Sequence, residues 1–355
     1  MSRIRADLLL VLAAVIWGTA FIAQKNGGEF VGPISFVGVR FLISCVALTP
    51  LALYERRRNA APLQKADWSL AGLIGICLFV AAVLQQVGLA TTTVTNGGFL
   101  TALYVIFVPL FVFALTGVRP RRIVLVAGVV SVAGAGFLTD GALLTSWTSG
   151  DGLVLIADVA WAAGISLVPA FLARCDRPYF LAFAQFGLVG ALGTVMGLSL
   201  EPFSQEGLRS ALPSILYAGL CSGGVAFTLQ ILALKYTPAA EAALIMSLES
   251  VFAAMSGAVL LSERLTGSAI LGGVLILLGV VLVESGPAMQ NIRLPQFWLW
   301  LTLDHAAFRR TRLSVDNVND SNDLERALRE APNFPLRVLG PQNRNWLAQI
   351  WSKAR

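Results

Sequence analysis

The sequence predicts an all-α membrane protein of ten transmembrane helices, arranged as two inverted five-helix repeats and followed by a cytoplasmic tail. Of its 355 residues, 56% are hydrophobic and only 13% are charged, whereas soluble domains carry about 25% charged residues. The mean hydropathy of +0.74 agrees, so composition alone places the chain in the membrane class. An internal duplication and an uneven distribution of basic residues predict the repeats and their orientation.

The duplication has an offset of 145 residues. Residues 84–138 and 229–283 share one plan: a helix end, a short break, a long apolar helix, a polar turn and an apolar helix containing glycine. Chance can match Leu and Phe in two apolar helices, but it does not readily match Gln, Thr, Arg and Gly in one ungapped register. The identical pairs are Leu84/Leu229, Gln85/Gln230, Leu89/Leu234, Thr92/Thr237, Leu103/Leu248, Phe107/Phe252, Leu115/Leu260, Arg119/Arg264, Gly128/Gly273 and Gly134/Gly279.

Apolar stretches long enough to cross a bilayer, about 20 residues, occur ten times. Because a helix satisfies its own backbone in hydrocarbon, the connections belong at the two membrane surfaces. Arg3 and Arg5 resemble the basic start of a signal peptide, but no convincing cleavage site follows them. We therefore interpret the first stretch as an uncleaved helix. The predicted spans are residues 8–23, 34–53, 68–90, 97–115, 123–138, 152–173, 179–198, 212–234, 239–261 and 269–283.

Basic residues in the connections predict the orientation. With the amino terminus in the cytoplasm, the inside connections hold twelve Lys and Arg and the outside ones hold three, so both termini are expected in the cytoplasm. The inside residues are Arg3, Arg5, Arg56, Arg57, Arg58, Lys65, Arg119, Arg121, Arg122, Arg174, Arg177 and Lys235, and the outside ones are Lys25, Arg209 and Arg264.

Five spans per half is an odd number, so the second half enters the membrane from the opposite side. The first spans of the two halves also match each other. Pro33/Pro178 and Phe41/Phe186 keep the offset of 145 residues, and Trp17/Trp161 differ from it by one residue. We assign residues 1–148 to the first repeat, 149–285 to the second and 286–355 to the tail. Inverted duplication is typical of secondary transporters, whose substrate site lies where the halves meet.

Several short motifs lie along the predicted spans. They are IWGTAF at 16–21, Pro33 with Arg40-Phe41, TNGGFLT at 95–101, Val108-Pro109-Leu110, Leu248-Glu249, SERLT at 262–266 and the Gly272/Gly279 helix. This set resembles the EamA-type members of the drug/metabolite transporter superfamily over about residues 7–285. The resemblance implies a ten-helix bundle whose central cavity passes small metabolites or toxic compounds across a membrane.

The chain departs from that family pattern at two places. Ser250 follows Glu249 where the family often has Pro, and Val118-Arg119-Pro120 stands where a Glu-containing turn could stand. The family resemblance therefore does not identify the substrate.

Ionisable side chains inside a span are costly to bury and are candidates for function. Glu249 lies ten residues into the ninth span, about 15 Å deep at 1.5 Å per residue. It is a candidate for proton or cation coupling, since desolvation disfavours its charged form; the alternative is a structural carboxylate that bonds a neighbouring helix. Asp158 in the sixth span and Arg40 in the second could form an ion pair or outer gate, or each could point separately into water.

Two matched polar pairs are weaker candidates for substrate binding. Gln85 and Gln230 could bind substrate or bridge helices, and bridging is favoured, although such bonds contribute only about 0.6 kcal/mol on average. Asn96 and Glu241 each lie at a helix start, where a role as a cap or near-cap is favoured over substrate contact.

Trp17 and Trp161 lie too deep for the aromatic belt at the membrane surface, so they either flank an apolar ligand or pack the core. Tyr104 stands at the position that matches Glu249, so the halves share a scaffold but differ in chemistry. Small residues on corresponding helices are expected to serve packing, including a homodimer contact. These glycines are Gly128, Gly134, Gly273 and Gly279.

Three classes of function can be compared for a membrane protein of this kind: a transporter, an enzyme, and a receptor or scaffold. We favour a secondary transporter in the bacterial inner membrane that exports small metabolites, amino-acid-like compounds or drugs, coupled to protons or acting as an exchanger. A membrane enzyme would lack an evident nucleophile and base, because the one histidine, His305, lies in the tail. A receptor or scaffold would not need inverted repeats. No cofactor, metal or nucleic-acid site is predicted, and the apolar segment 296–303 is expected to attach the tail to the membrane surface.

Overall fold

The structure is a computed structural model that describes residues 1–59, 62–138, 147–260 and 266–289. Within these ranges the regular elements are all helical, as the sequence predicts. The tail from residue 290 onward and most of the SERLT turn lie outside them. The helices are α1 (Arg3–Gly28), α2 (Pro33–Arg58), α3 (Lys65–Leu89), α4 (Val94–Thr101), α5 (Tyr104–Thr116), α6 (Arg122–Leu138), α7 (Ser149–Cys175), α8 (Pro178–Leu200), α9 (Gln205–Leu216), a π-helix (Tyr217–Phe227), α10 (Thr228–Ala233), α11 (Ala239–Met246), α12 (Leu248–Leu260) and α13 (Gly267–Met289).

Eight helical stretches in the described part are long and apolar enough to cross a membrane. Two shorter apolar helices, Arg122–Phe137 and Gly267–Val283, occupy the positions of the fifth and tenth predicted spans. The prediction of an all-α integral membrane protein is thereby confirmed. The count of ten spans and the inversion of the halves stay predictions.

The fourth and ninth predicted spans are each found as one helical stretch long enough to cross a membrane, and each contains a local break in the helix. Residues 102–103 separate α4 from α5, and Ser247 separates α11 from α12. At the first break the amides of Ala102 and Leu103 donate to carbonyls three residues back, at 3.1 and 2.9 Å. Such tightened turns within a helix often mark functional hinges. The two breaks lie at matching positions of the duplication.

The eighth span begins earlier than predicted and contains the π-helix, which packs closely against α2. Ser44 on α2 donates a hydrogen bond to the carbonyl of Gly219 at 2.7 Å. A Cβ at Gly219 would lie 2.8 Å from the carbonyl oxygen of Arg40, so a larger residue would force the two helices apart. The small residues of this segment therefore position α2 and the π-helix against each other.

The helices α2 and α8 pack antiparallel, and each is capped by the other. The Glu201 carboxylate, just after α8, accepts hydrogen bonds from the amides of Ile34 and Ser35 at 2.9 and 2.8 Å. The Glu55 carboxylate, near the end of α2, accepts them from the first amides of α8 at 3.2 and 2.7 Å. A carboxylate there satisfies amides that have no partner within their own helix and complements the helix dipole.

Not all of the glycines predicted to pack helices do so within the chain. A Cβ at Gly134 would lie 2.7 Å from the Gly272 carbonyl oxygen, and one at Gly279 would lie 2.3 Å from the Ser131 hydroxyl, so α6 and α13 are in close contact. Among the described residues, a Cβ at Gly273 would have one ordinary van der Waals neighbour, Val251 at 3.7 Å, and a Cβ at Gly128 would meet nothing within 4 Å. Gly128 therefore makes no close helix contact within the described part of the chain, and its packing role, which includes the expected homodimer contact, stays a prediction.

Candidate functional site

A narrow cavity of about 40 Å³ lies among the helices of both halves. The breaks of the fourth and ninth spans reach it, since α4 ends at its wall and α12 begins there. Seven of the ten predicted candidates contribute to its wall, and Asn96, Asp158 and Glu241 do not. The lining residues are Trp17, Phe21, Gln24, Arg40, Gln85, Thr101, Tyr104, Trp161, Ile165, Ser222, Phe227, Gln230 and Glu249.

Aromatic rings form one side of the cavity. The Phe227 ring lies 4.9 Å from Trp17 edge-on and 5.5 Å from Trp161 in a stacked arrangement, measured between ring centroids. The Trp17 indole N–H donates to the Ser222 carbonyl at 3.3 Å, which holds its orientation. The sequence reasoning missed Phe227, although its position three residues before Gln230 places both on one helix face.

Arg40 is the buried cation of the site, with 3% of its surface exposed. Its guanidinium donates to Gln24 Oε1 at 2.9 Å and lies 4.9 Å from the centroid of the Phe41 ring. Both contacts orient the cation, because Gln24 fixes one edge and the ring faces the positive charge. The hypothesis of an Arg40–Asp158 ion pair is wrong, since Arg40 bonds Gln24, a residue that the sequence reasoning missed.

Two buried carboxyl groups and a phenol meet beside the cavity. Asp158 on α7 and Glu249 on α12 lie within electrostatic reach of each other and of the Tyr104 hydroxyl on α5. Asp158 is 0% exposed and Glu249 4%. In the described part of the chain, both oxygens of Asp158 and one of Glu249 lack a hydrogen-bond partner. Burying two nearby carboxyl groups in a membrane protein is costly, so these side chains are candidates for function.

The matched glutamines make matched contacts. Gln85 donates to the Thr101 hydroxyl at 2.9 Å, and Gln230 donates to the Met246 sulfur at 3.3 Å. Each bond fastens a helix to the last residue before a break, at α4 and α11 respectively. Bridging of helices is therefore observed, and both glutamines also line the cavity.

Asn96 and Glu241 lie away from the cavity, and neither is a helix cap. The Thr93 hydroxyl caps α4 by accepting from the Asn96 amide at 3.1 Å, and Pro238 occupies the cap position of α11. Glu241 is buried instead between two arginines: its carboxylate pairs with Arg3 and, at 2.9 Å, with Arg121. Both residues stand at the third position of their helices, so each is a near-cap, one of the two forms predicted, and neither is the cap itself.

Polar contacts tie the halves together near the start of α1. Besides the Glu241 pairs, the Thr237 hydroxyl donates to Asp7 at 2.6 Å, and Arg3 lies 3.7 Å from the same carboxylate. These residues are named the amino-end cluster: Arg3, Asp7, Arg121, Thr237 and Glu241.

A second set of polar contacts lies near the end of α1. The Thr92 hydroxyl donates to Asp151, and the Lys25 ammonium donates to the carbonyls of Leu89 and Thr92 at 2.8 Å each. Lys25, Thr92 and Asp151 are named the carboxyl-end cluster. Asp7 and Lys25 are separated by about 27 Å along α1 at 1.5 Å per residue, and Trp17 of the cavity lies between them. The cavity is thus flanked by two polar clusters.

No group of three or more His, Cys, Asp or Glu side chains that could hold a metal ion occurs in the described ranges.

The fold and the cavity define an integral membrane protein built for solute passage, and comparisons with known proteins identify the family. The EamA-like transporter family matches the chain twice, over residues 4–139 and 148–285. The chain belongs to this family, within the drug/metabolite transporter superfamily, and is a membrane transporter. The resemblance predicted from the motifs is confirmed.

Individual relatives and a solved structure agree. An uncharacterized transporter of Archaeoglobus fulgidus is 31% identical over 285 residues, covering 80% of this chain and 87% of the relative. The uncharacterized transporter YwfM of Bacillus subtilis is 27% identical, covering 80% of this chain and 95% of YwfM. One protein of known crystal structure matches with a TM-score of 0.67 at 18% identity, over 82% of this chain and 100% of that one, which shows the fold.

Proposed function

We propose that this transporter carries a small amphipathic solute through the central cavity by alternating access, with its two halves acting as inverted repeats. The observation that carries the proposal is that contacts between the halves occur in equivalent pairs. In each pair, a residue of the first half bonds the second half, and the matching residue of the second half bonds the first. Glu55 caps α8 while Glu201 caps α2, and Thr92 bonds Asp151 while Thr237 bonds Asp7. Partners in the two directions lie 144–146 residues apart, as expected for two homologous units related by a twofold axis.

The two clusters are the gates in this proposal. A cavity of about 40 Å³ holds a few water molecules rather than a metabolite, so a solute enters only after one side opens. Separation of the amino-end cluster would expose Trp17 and Arg40 from one side of the membrane. Separation of the carboxyl-end cluster would expose them from the other.

Unpaired polar atoms in the cavity support the choice of solute. Arg40 Nε, the Trp161 indole N–H and one Glu249 oxygen are buried without a hydrogen-bond partner among the described residues. Arg40 suits a carboxylate or phosphate-like group, Glu249 suits an amine, and the Trp17–Phe227–Trp161 wall suits an apolar or aromatic portion. Amino-acid-like compounds and cationic amphipathic drugs share this chemistry.

Coupling is proposed to run through the Asp158–Glu249 pair. When a solute amine approaches Glu249, the proton that the closed cavity favours is displaced, because the amine supplies the compensating positive charge. Bound proton and bound solute then exclude each other, and proton entry drives solute export. An exchanger uses the same exclusion between two solutes.

The test is transport by the purified protein in proteoliposomes, against a panel of amino acids and aromatic amines, with and without a pH gradient. We expect uptake or counterflow of at least one solute that a pH gradient accelerates. Arg40→Gln should weaken solute binding about 10- to 100-fold, since a hydrogen bond to a charged group contributes about 1.5–3 kcal/mol. Glu249→Gln should transport downhill without response to the gradient.

The matched control is Glu206→Gln, which removes an exposed carboxylate at the start of α9. It should behave as wild type in every assay. Wild-type affinity in Arg40→Gln would exclude the cavity as the solute site. An unchanged response to pH in both Glu249→Gln and Asp158→Asn would exclude coupling through this pair.

A further inference from the structure

A second, larger cavity lies at one end of the helix bundle, between the end of α2, the start of α3 and the start of α8. Its volume is about 500 Å³, within the range of ligand-binding pockets. Seven of its eleven lining residues are apolar, and the other four are polar, including two arginines at one edge. The lining residues are Thr49, Ala52, Leu53, Arg56, Asn59, Pro62, Leu63, Trp68, Arg177, Phe180 and Phe183.

This cavity lies where spans end, so it opens at the boundary between hydrocarbon and headgroups. Trp68 is 55% exposed at the start of α3 and packs edge-on against Phe180 at 5.0 Å. Exposed Trp near the end of a span is typical of the membrane interface. Leu53 is 49% exposed on the neighbouring helix. An acyl chain can therefore reach the apolar wall from the side.

The polar edge is positively charged. Arg177 is 5% exposed, and its guanidinium donates to the Asn59 carbonyl at 2.5 Å, which fixes it at the rim. Arg56 is exposed and makes no ion pair among the described residues. The adjacent Glu55 carboxylate, which accepts from the first amides of α8, offsets only one of these two positive charges.

We propose that this cavity binds one anionic phospholipid, with the lipid phosphate between Arg56 and Arg177 and an acyl chain against Trp68, Phe180 and Phe183. Basic pockets between transmembrane helices bind anionic headgroups, and the aromatic wall selects a lipid over free phosphate. The ligand contacts both α2 and α8, which belong to different halves. The bound lipid therefore stabilises the packing of the halves at this end of the bundle.

The test uses the full-length protein in detergent. Phosphatidylglycerol, phosphatidylcholine with the same acyl chains, and inorganic phosphate are added separately, with thermal unfolding and native mass spectrometry as readouts. We expect phosphatidylglycerol to raise the Tm and to be retained as one bound lipid, and the other two to do neither. Arg56→Gln should weaken binding about fivefold, the equivalent of about 1 kcal/mol per basic side chain.

Two further variants separate the site from general surface charge and from misfolding. Arg57→Gln removes the same charge from a residue outside the cavity and should bind like wild type. Ala52→Trp fills the cavity without changing charge and should abolish lipid retention while the protein remains folded. Equal losses in Arg56→Gln and Arg57→Gln, equal shifts with both lipids, or an equal shift with phosphate alone would each overturn the proposal.

Discussion

At the scale of single residues, Phe227 organises the aromatic side of the cavity. Its ring contacts Trp17 and Trp161 at the cavity wall, and Phe41 and Phe186 behind it, at centroid distances of 4.9 to 6.1 Å. The two rings behind it come from the α2–α8 pair, so Phe227 connects the cavity to the helices that cap each other.

We expect Phe227→Ala to lower the free energy of unfolding by about 3–5 kcal/mol, the usual cost of deleting a buried phenyl ring. Thermal unfolding in detergent measures this change. Phe203→Ala is the matched control, since Phe203 is 66% exposed between α8 and α9, and its loss should change stability by no more than about 0.5 kcal/mol. Equal effects of the two substitutions would contradict the central role of Phe227.

The sequence predicted part of this cavity and could not predict the rest. Glu249 and Arg40 were found because a charge within an apolar span is conspicuous. Gln24 was missed because a glutamine near a helix end resembles an interfacial residue, and only the contact with Arg40 reveals its role. The ion pairs of Glu241 were missed because its partners, Arg3 and Arg121, are distant in sequence.

At the scale of helices, the matched breaks in the fourth and ninth spans position the site. Hydropathy predicts where a chain can cross a membrane, but it does not register a local tightening of the helix. The first break contains no proline or glycine, so its residue types do not predict it. Gln85 bonds the last residue before the first break and Gln230 the last before the second, so the breaks depend on tertiary contacts.

The close contact between α6 and α13 is expected to contribute to the stability of the protein. We expect Gly134→Leu to destabilise the protein by about 1–3 kcal/mol, because the added side chain overlaps the backbone of α13. Gly128→Leu, on the same helix, meets open space and should leave the Tm unchanged. Both variants replace glycine by leucine in α6, so they share the same change in helix propensity. The difference between their Tm values therefore measures the effect of packing. A Gly134→Leu variant as stable as wild type would show that these helices do not need close contact.

At the scale of the whole molecule, locking each cluster in turn tests the proposal that the amino-end and carboxyl-end clusters are gates. Alternating access requires each gate to open in turn, so locking either one should stop transport completely. A static pore would tolerate a lock that leaves its lumen open. This difference separates the two mechanisms.

We expect oxidation to arrest transport in both Asp7→Cys/Thr237→Cys and Thr92→Cys/Asp151→Cys, in a background without Cys45, Cys77, Cys175 and Cys221. Solute flux in proteoliposomes before oxidation, after it and after reduction measures the effect. The single-cysteine variants serve as controls and should be insensitive to oxidant. Undiminished flux with either gate confirmed as cross-linked would contradict alternating access.

The crossed caps of α2 and α8 also have a consequence for biosynthesis. The amides of Ile34 and Ser35 leave the ribosome long before their acceptor, Glu201, is translated. During that interval the start of the second helix must rely on water or lipid headgroups at the membrane surface. Its final anchorage is therefore completed late, once the seventh span has been inserted and the two ends have met.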